Sequence, residues 1–248
     1  MRPLIGISSN FDANQDDPPR ERQTLLAAYV DAVQRAGGLP VALPVPRTYD
    51  ESWIDDLLAR IDGLILSGGN DLDAARFGET MHPKAKPLHP RREPFEIDLF
   101  RAADRRRLPM FCVCLGHQVA HVARGGGIIQ HIESGPDAAV AHYQSGDADV
   151  LHGVSITPGS HLAELVGAET IEVASRHHQV VDPRRLGAGL RTVATSADGH
   201  VEASEDFDGR WLLTVQWHPE ALPESSAHQA CFAALIETAA HAATASRA

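Results

Sequence analysis

Three short stretches of the chain set reactive side chains at spacings that suit acyl transfer. Met110-Phe111-Cys112-Val113-Cys114-Leu115-Gly116-His117-Gln118 puts a cysteine between an apolar run and a segment able to form a helix. That order predicts a strand, a sharp turn and a helix, the nucleophile elbow in which one side chain projects above the sheet. Gly116 relieves crowding at such a turn, and a helix N-terminus favours the thiolate form of a cysteine. Cys114 is therefore the candidate nucleophile, although a cysteine here also suits packing as a small hydrophobe. Cys112, two residues earlier, is read as packing. Thr214-Val215-Gln216-Trp217-His218-Pro219-Glu220 carries a second apolar run into polar residues. In an extended backbone His218 and Glu220 share a side while Pro219 restricts φ, so Glu220 can orient the ring of a basic His218. His-Pro-Glu by itself also fits a surface turn. Ser67-Gly68-Gly69-Asn70-Asp71 follows the apolar run Gly63–Leu66. Two glycines alone make an ordinary tight turn, but at the carboxyl end of a parallel strand they bring backbone N–H groups close to a ligand. The amides of Gly69 and Leu115 are the candidate oxyanion hole.

These residues need a frame, and the hydrophobic periodicity supplies one. Leu4–Ser8 reads as a strand, 10–20 as a polar loop, and Leu25, Leu26, Tyr29, Val30 and Val33 recur at helical spacing before Gly37-Gly38. Leu39–Leu43 reads as a buried strand, Trp53 to Leu58 as a helix, Gly63–Leu66 as a buried strand, and Phe95, Leu99 and Ala102 as a helix. A strand over 109–113 and a helix over 119–124, stopped by Gly125-Gly126-Gly127, complete the alternation. Beyond residue 128 short strand-like pieces are punctuated by Gly and Pro, and 227–243 reads as a terminal helix. The expected class is α/β: a mostly parallel central sheet flanked by helices, flavodoxin-like, with a mixed or antiparallel C-terminal extension, in one domain over residues 1–248. The stretch 81–92, rich in proline, histidine and basic residues, is expected as an exposed loop bordering a pocket.

The 248 residues carry 22 Lys plus Arg against 33 Asp plus Glu, a net charge of −11. That balance argues against nucleic acid or a membrane surface as general partner, because both ask for clustered cations; Arg105-Arg106-Arg107 is too short a run to change this. No apolar run is long enough for a membrane span, and the first residues lack a secretory signal, so a cytoplasmic location is expected. Three cysteines without paired CxxC spacing make a disulfide framework or zinc site unexpected. Most of the 14 histidines, among them His131, His142, His152 and His161, lack metal-ligand spacing and are read as solvated or structural. No cofactor is expected. A homodimer is compatible with the chain, though no residue argues for one.

Taken in order along the chain, these residues resemble the class I glutamine amidotransferase-like superfamily and, within it, the gamma-glutamyl-gamma-aminobutyrate hydrolase branch of the C26 peptidases. The resemblance rests on Ile5-Gly6-Ile7, Tyr29-Val30-Asp31-Ala32-Val33, Ala36-Gly37-Gly38-Leu39-Pro40, the Ser67 to Asp71 turn, and Arg92 with Glu96. It continues through the Cys114 elbow, Ser175-Arg176-His177-His178-Gln179, Asp198-Gly199 with Glu202, and Val215 to Glu220. It implies a Cys114–His218–Glu220 triad, an oxyanion hole at Gly69 and Leu115, attack on a gamma-glutamyl amide, and a thioester that water resolves to glutamate. It also implies substrate contacts from Gln118, by analogy with amidotransferases, and from one of His177 and His178. Adjacent residues on a strand face opposite sides, so both histidines reach one pocket only if the backbone bends. The chain departs from the branch at Leu115, where arginine is usual, and at Ala74, Phe77 and Glu93. Leu115, His117 and Gln118 instead give the Cys-Leu-Gly-His-Gln form of glutamine amidotransferases. The expected partner is a small-molecule gamma-glutamyl substrate. Two other readings remain: a glutaminase subunit with its synthetase on a separate chain, and a non-catalytic module that binds a glutamyl metabolite.

Overall fold

The computed structural model describes residues 1–13, 20–133, 140–144 and 148–247. Strand β1 (Leu4–Ser8) leads into a hairpin of β2 (Asn10–Ala13) and β3 (Glu21–Thr24). The hairpin occupies part of the expected 10–20 loop, the rest of which, 14–19, lies outside the described residues. Helix α1 (Ala27–Arg35) then crosses to β4 (Leu39–Leu43), and α2 (Glu51–Leu58) to β5 (Gly63–Leu66). Asp50 starts α2 by accepting the Trp53 amide at 2.9 Å, which satisfies one free N–H of its first turn. Helix α3 (Arg92–Arg105), β6 (Met110–Val113) and α4 (Leu115–Ala123) follow. The C-terminal half holds β7 (Ile128–Ile129), β8 (Val150–Ile156), α5 (His161–Val166), β9 (Thr170–Ser175), β10 (Val180–Val181), β11 (Leu190–Ser196), β12 (Val201–Asp206), β13 (Leu212–Val215) and α6 (Ser226–Arg247).

The main sheet runs β4-β1-β5-β6-β13-β12-β11-β8-β9. Pairing is parallel from β4 through β13 and antiparallel from there to β9, so the expected class holds, extension included. The last strand of the parallel half is thus the most C-terminal in sequence, and it lies directly against β6 with Val215 beside Val113. Side chains alternate across the sheet, as the strand period requires. Leu64, Leu66, Met110 and Cys112 join a core with Phe95 and Phe100 of α3 on one face. Ile65, Phe111 and Val113 join Ile5, Ile7 and Phe232 of α6 on the other. Residues of β5 and β6 are fully buried, which explains why their sequences are continuous apolar runs.

Two expectations need correction. The run Leu39–Leu43 is an edge strand rather than a buried one, with Leu39 51% and Val41 37% exposed, because among the described residues no strand pairs beyond it in the sheet. Residues 218–221 do not continue extended: β13 ends at Val215, and a 3-10 turn covers Pro219–Ala221. Proline at the first position of that turn needs no N–H there and fixes φ for it.

The β6–α4 turn leaves no room at Gly116, where a Cβ would lie 2.5 Å from the Leu66 carbonyl oxygen and 2.8 Å from its Cβ. Gly116→Ala is expected to cost about 1–3 kcal/mol through overpacking, measured as a lower denaturation midpoint with an unchanged slope.

Candidate active site

Cys114 is the residue at which β6 turns into α4, with φ 52° and ψ −104°. A non-glycine residue there is strained, and such strain gathers where the fold forces a side chain into an exposed aim. Two backbone bonds hold the turn: the Cys114 amide donates to Val215 O at 2.7 Å, and the Gln118 amide to Cys114 O at 3.2 Å. The sulfur lies at the mouth of the first helical turn, where amide dipoles favour negative charge. Gln216 Nε2 also donates toward Sγ at 3.8 Å.

His218 and Glu220 meet as read from the sequence, through the 3-10 turn instead of an extended backbone. His218 Nδ1 donates to Glu220 Oε1 at 2.7 Å, and both side chains are buried. Nε2 has no hydrogen-bond partner among the described residues, and Cys114 is among the groups that act on the ring. Burial alone would push this imidazole down, but the Glu220 carboxylate and the Cys114 thiolate outweigh it and raise His218 to about 10. Burial likewise works against ionised Glu220, yet the imidazolium holds its carboxyl below the ordinary range. The imidazolium of His218 and the carboxylate of Glu220 thus hold each other in their charged forms. Arg176, present in the sequence only as part of a motif, donates to Asp149 at 2.7 Å, and its Nη2 lies 3.1 Å from His218 Nδ1 and 3.4 Å from Glu220 Oε1, against the bond between them. Tyr29, read as a core residue of α1, accepts the Gly68 amide at 3.1 Å. Burial, together with Glu220 beside it, keeps its phenol protonated.

Across the cleft the Ser67 to Asp71 turn is held by Arg92. Its fully buried guanidinium pairs with Glu96 at 2.9 Å and donates to Ser67 Oγ at 3.2 Å, Gly68 O at 3.0 Å and Asn10 Oδ1 at 2.7 Å. Among the described residues the amides of Gly69 and Leu115 donate none of the backbone bonds of the surrounding turns. A Cβ at Gly68 would lie 2.9 Å from His218 Cε1, so only glycine lets the turn come this close to the imidazole.

These groups open into a cavity of about 570 Å³. Gln118 lines it, fixed by bonds from its amide to Gln179 O at 3.2 Å and Gln216 Oε1 at 3.3 Å. Both His177 and His178 reach it, because the chain leaves strand geometry after Ser175. His178 Nε2 bonds Asp71 at 2.9 Å. His177 is almost wholly buried, its Nδ1 on Gln179 O at 3.1 Å, and burial with nearby His142 pushes it well below the ordinary range. The 81–92 stretch does border the cavity: Asp71 O accepts Leu88 N–H and Asp71 Oδ2 accepts Lys86 N–H, which pins Lys84 and Lys86 at the rim. Arg92 and Arg176 are among the residues that carry the resemblance, but their contacts to Ser67 and Glu220 span 25 and 44 positions, so no local spacing shows them.

Peptidase C26 is the family whose profile matches residues 3–220. Protein NtpR of Enterococcus hirae is 36% identical over 233 residues, covering 91% of this chain and 94% of its own. The gamma-glutamyl-gamma-aminobutyrate hydrolase of Escherichia coli K12 is 34% identical over 210 residues, 80% of this chain and 79% of its own. Among solved structures, the glutaminase domain of Trypanosoma brucei CTPS with bound acivicin superposes with a TM-score of 0.64 at 17% identity, over 96% of this chain and 94% of that one. That last likeness is one of fold.

The raised imidazole can be measured directly. The His218 ring is expected to titrate near pH 10 by NMR in the native chain. In Glu220→Gln the midpoint moves to lower pH, because the carboxylate that favours the charged ring is gone; an unmoved midpoint would separate Glu220 from His218.

Proposed function

Starting from the fact that this chain belongs to the Peptidase C26 family of amide-bond hydrolases, we propose that it is a cysteine hydrolase cleaving the gamma-glutamyl amide bond of a gamma-glutamyl-amine, with Cys114, His218 and Glu220 as its triad. The observation that carries the reading is Cys114 at a strained strand-to-helix turn, lining one cavity with Gly69 and with a buried His218 that is bonded to Glu220.

In this mechanism the Cys114 thiolate attacks the gamma-carbonyl carbon, and the carbonyl electron pair moves to oxygen. The amides of Gly69 and Leu115 bind that oxyanion. As the tetrahedral intermediate collapses, the C–N bond breaks and the His218 imidazolium gives its proton to the departing nitrogen, leaving a glutamyl thioester and a free amine. Water then attacks the thioester while His218 takes its proton, and collapse releases glutamate and restores the thiolate. Glu220 keeps the ring in one orientation throughout and stabilises its charged form. Gln118 contacts the amino-acid end of the glutamyl group, and His178 faces the rest of the pocket.

A cationic rim of Lys84, Lys86 and Arg176 supports a substrate that carries carboxylates at both ends, such as gamma-glutamyl-gamma-aminobutyrate. The family match and the identity to a hydrolase of that substrate support the same class. None of the helices of the described residues is long and apolar enough to cross a membrane. Three free, buried cysteines suit the reducing cytoplasm, where we locate the activity.

The test is glutamate release from gamma-glutamyl-gamma-aminobutyrate, a gamma-glutamyl anilide and glutamine by the purified chain alone. Turnover of a gamma-glutamyl amide is expected, falling by about 10³-fold or more in Cys114→Ser, with a glutamyl adduct on Cys114 visible by mass spectrometry. Glutamine hydrolysis only after a partner chain is added would make it an amidotransferase subunit, and glutamate binding without turnover a sensor.

A further inference from the structure

Behind His177, away from Cys114, four side chains from four separate segments converge: His142 of the 140–144 segment, His152 of β8, His177 after β9, and Glu202 of β12. One nitrogen or oxygen from each lies within 4.8 Å of all the others. From Glu202 Oε1 the distances are 3.3 Å to His142 Nδ1, 3.8 Å to His152 Nε2 and 3.9 Å to His177 Nε2. None of these contacts has hydrogen-bond geometry: both Glu202 oxygens, His142 Nδ1 and His177 Nε2 are buried without a hydrogen-bond partner among the described residues. A carboxylate with zero exposure and neither oxygen bonded is an expensive arrangement unless a cation faces it.

The outward ring nitrogens are, by contrast, all bonded to acceptors. His142 Nε2 meets the Asp198 carboxylate at 3.0 Å, His177 Nδ1 the Gln179 carbonyl at 3.1 Å, and His152 Nδ1 the Gly153 carbonyl at 3.3 Å. That is the arrangement by which metal-binding imidazoles are oriented: one nitrogen donates to a carboxylate or carbonyl, which fixes the tautomer and leaves the other nitrogen's lone pair facing inward. His152 Nε2 alone is shared, at 2.8 Å with Ser175 Oγ, whose hydroxyl can turn away.

We propose that His142, His152, His177 and Glu202 form a closed, four-ligand structural site for a zinc-class divalent cation. Three imidazoles and one carboxylate are a donor set suited to zinc, and four protein ligands leave no open position for chemistry. Tetrahedral zinc with bonds of about 2.0–2.1 Å needs its donors about 3.4 Å apart. The cluster spans 3.3–4.8 Å, so it closes on the ion by side-chain shifts below an ångström per ligand. No spacing signature announces the set, because the sheet and not a local loop assembles it. Bound metal would tie the 140–144 segment to β8 and β12 and fix the chain that carries Arg176 and His178. The proposal is independent of the reaction assigned to Cys114.

The test uses the full chain without a histidine tag, in a Cys114→Ser background so that the thiolate cannot hold metal. After removal of metal with chelator, zinc is expected to bind one per chain and raise Tm, and cobalt to give the visible absorption of a tetrahedral site. Glu202→Gln is expected to lose the cobalt spectrum. Asp198→Asn, which meets the outer nitrogen of His142, the Ser196 hydroxyl and His200 but none of the four inward donors, is expected to weaken zinc by about 10–100-fold. Circular dichroism of both metal-free variants checks the fold, and the Asp198 variant keeps the test decisive should Glu202→Gln fail to fold. Absence of stoichiometric metal, an unmoved Tm, or a cobalt spectrum and zinc affinity indifferent to the variants that fold would overturn the proposal.

Discussion

Cys114 sits in a backbone conformation that costs of order 1–3 kcal/mol, and the surrounding fold has to hold it there. β6 is clamped between β5 and β13 along its length, so its end cannot relax by shifting register. The Cys114 amide is tied to β13, and Gly116 sits hard against Leu66 of β5. Strain at one residue is thus opposed by the two strands that bring the other parts of the candidate site. The strand supplying Val215 runs on to His218, and the one ending at Leu66 runs on to Gly68 and Gly69.

The polar groups around this turn are organised by two arginines with different surroundings. Arg92 is wholly buried, and its planar fork meets a carboxylate, a hydroxyl, a carbonyl and an amide oxygen at once. A buried ion pair of this kind is weak evidence for stability, because desolvation offsets most of its attraction. Its visible effect is geometric: it fixes the carbonyl of Gly68 and so the direction of the Gly69 amide. Arg176 is partly exposed and stands at the cavity, where it meets Glu220 from the solvent side. A lysine in either position would supply charge without the fork that links several acceptors.

Much of the parallel half was legible because fully buried strands are continuous apolar runs and the helices between them are amphipathic. Leu39–Leu43 shows the limit of that logic: an apolar run says that a strand forms, not which neighbour it lacks, and β4 ends as an edge. The short pair β7 and β10, and strand β12 with its buried Glu202, Ser204 and Glu205, carry too little apolar periodicity to be read locally. The groups proposed for catalysis were readable because each lies in a compact motif next to a strand end. Tyr29, Arg92 and Arg176 were not readable as parts of the site, since each reaches it from an element whose sequence only reports burial or a loop. His177 and His178 were ambiguous for a definable reason: whether both face the cavity depends on a bend after Ser175, and backbone bends without glycine or proline leave no mark in composition.

The side-by-side pairing of β6 and β13 has a dynamic meaning. Cys114 follows the end of β6 directly and His218 follows the end of β13 by three residues, and these adjacent, parallel, hydrogen-bonded strands are about 4.8 Å apart. Only the bend at Gln216 and Trp217 stands between β13 and His218, whose amide is tied to Ala174 O at 2.8 Å. Their separation is therefore set by the sheet together with this one short bend. The rim is held differently: the 81–92 stretch is fastened to Asp71 by a few bonds, whereas parting Cys114 from His218 would mean disturbing strands at the centre of the sheet.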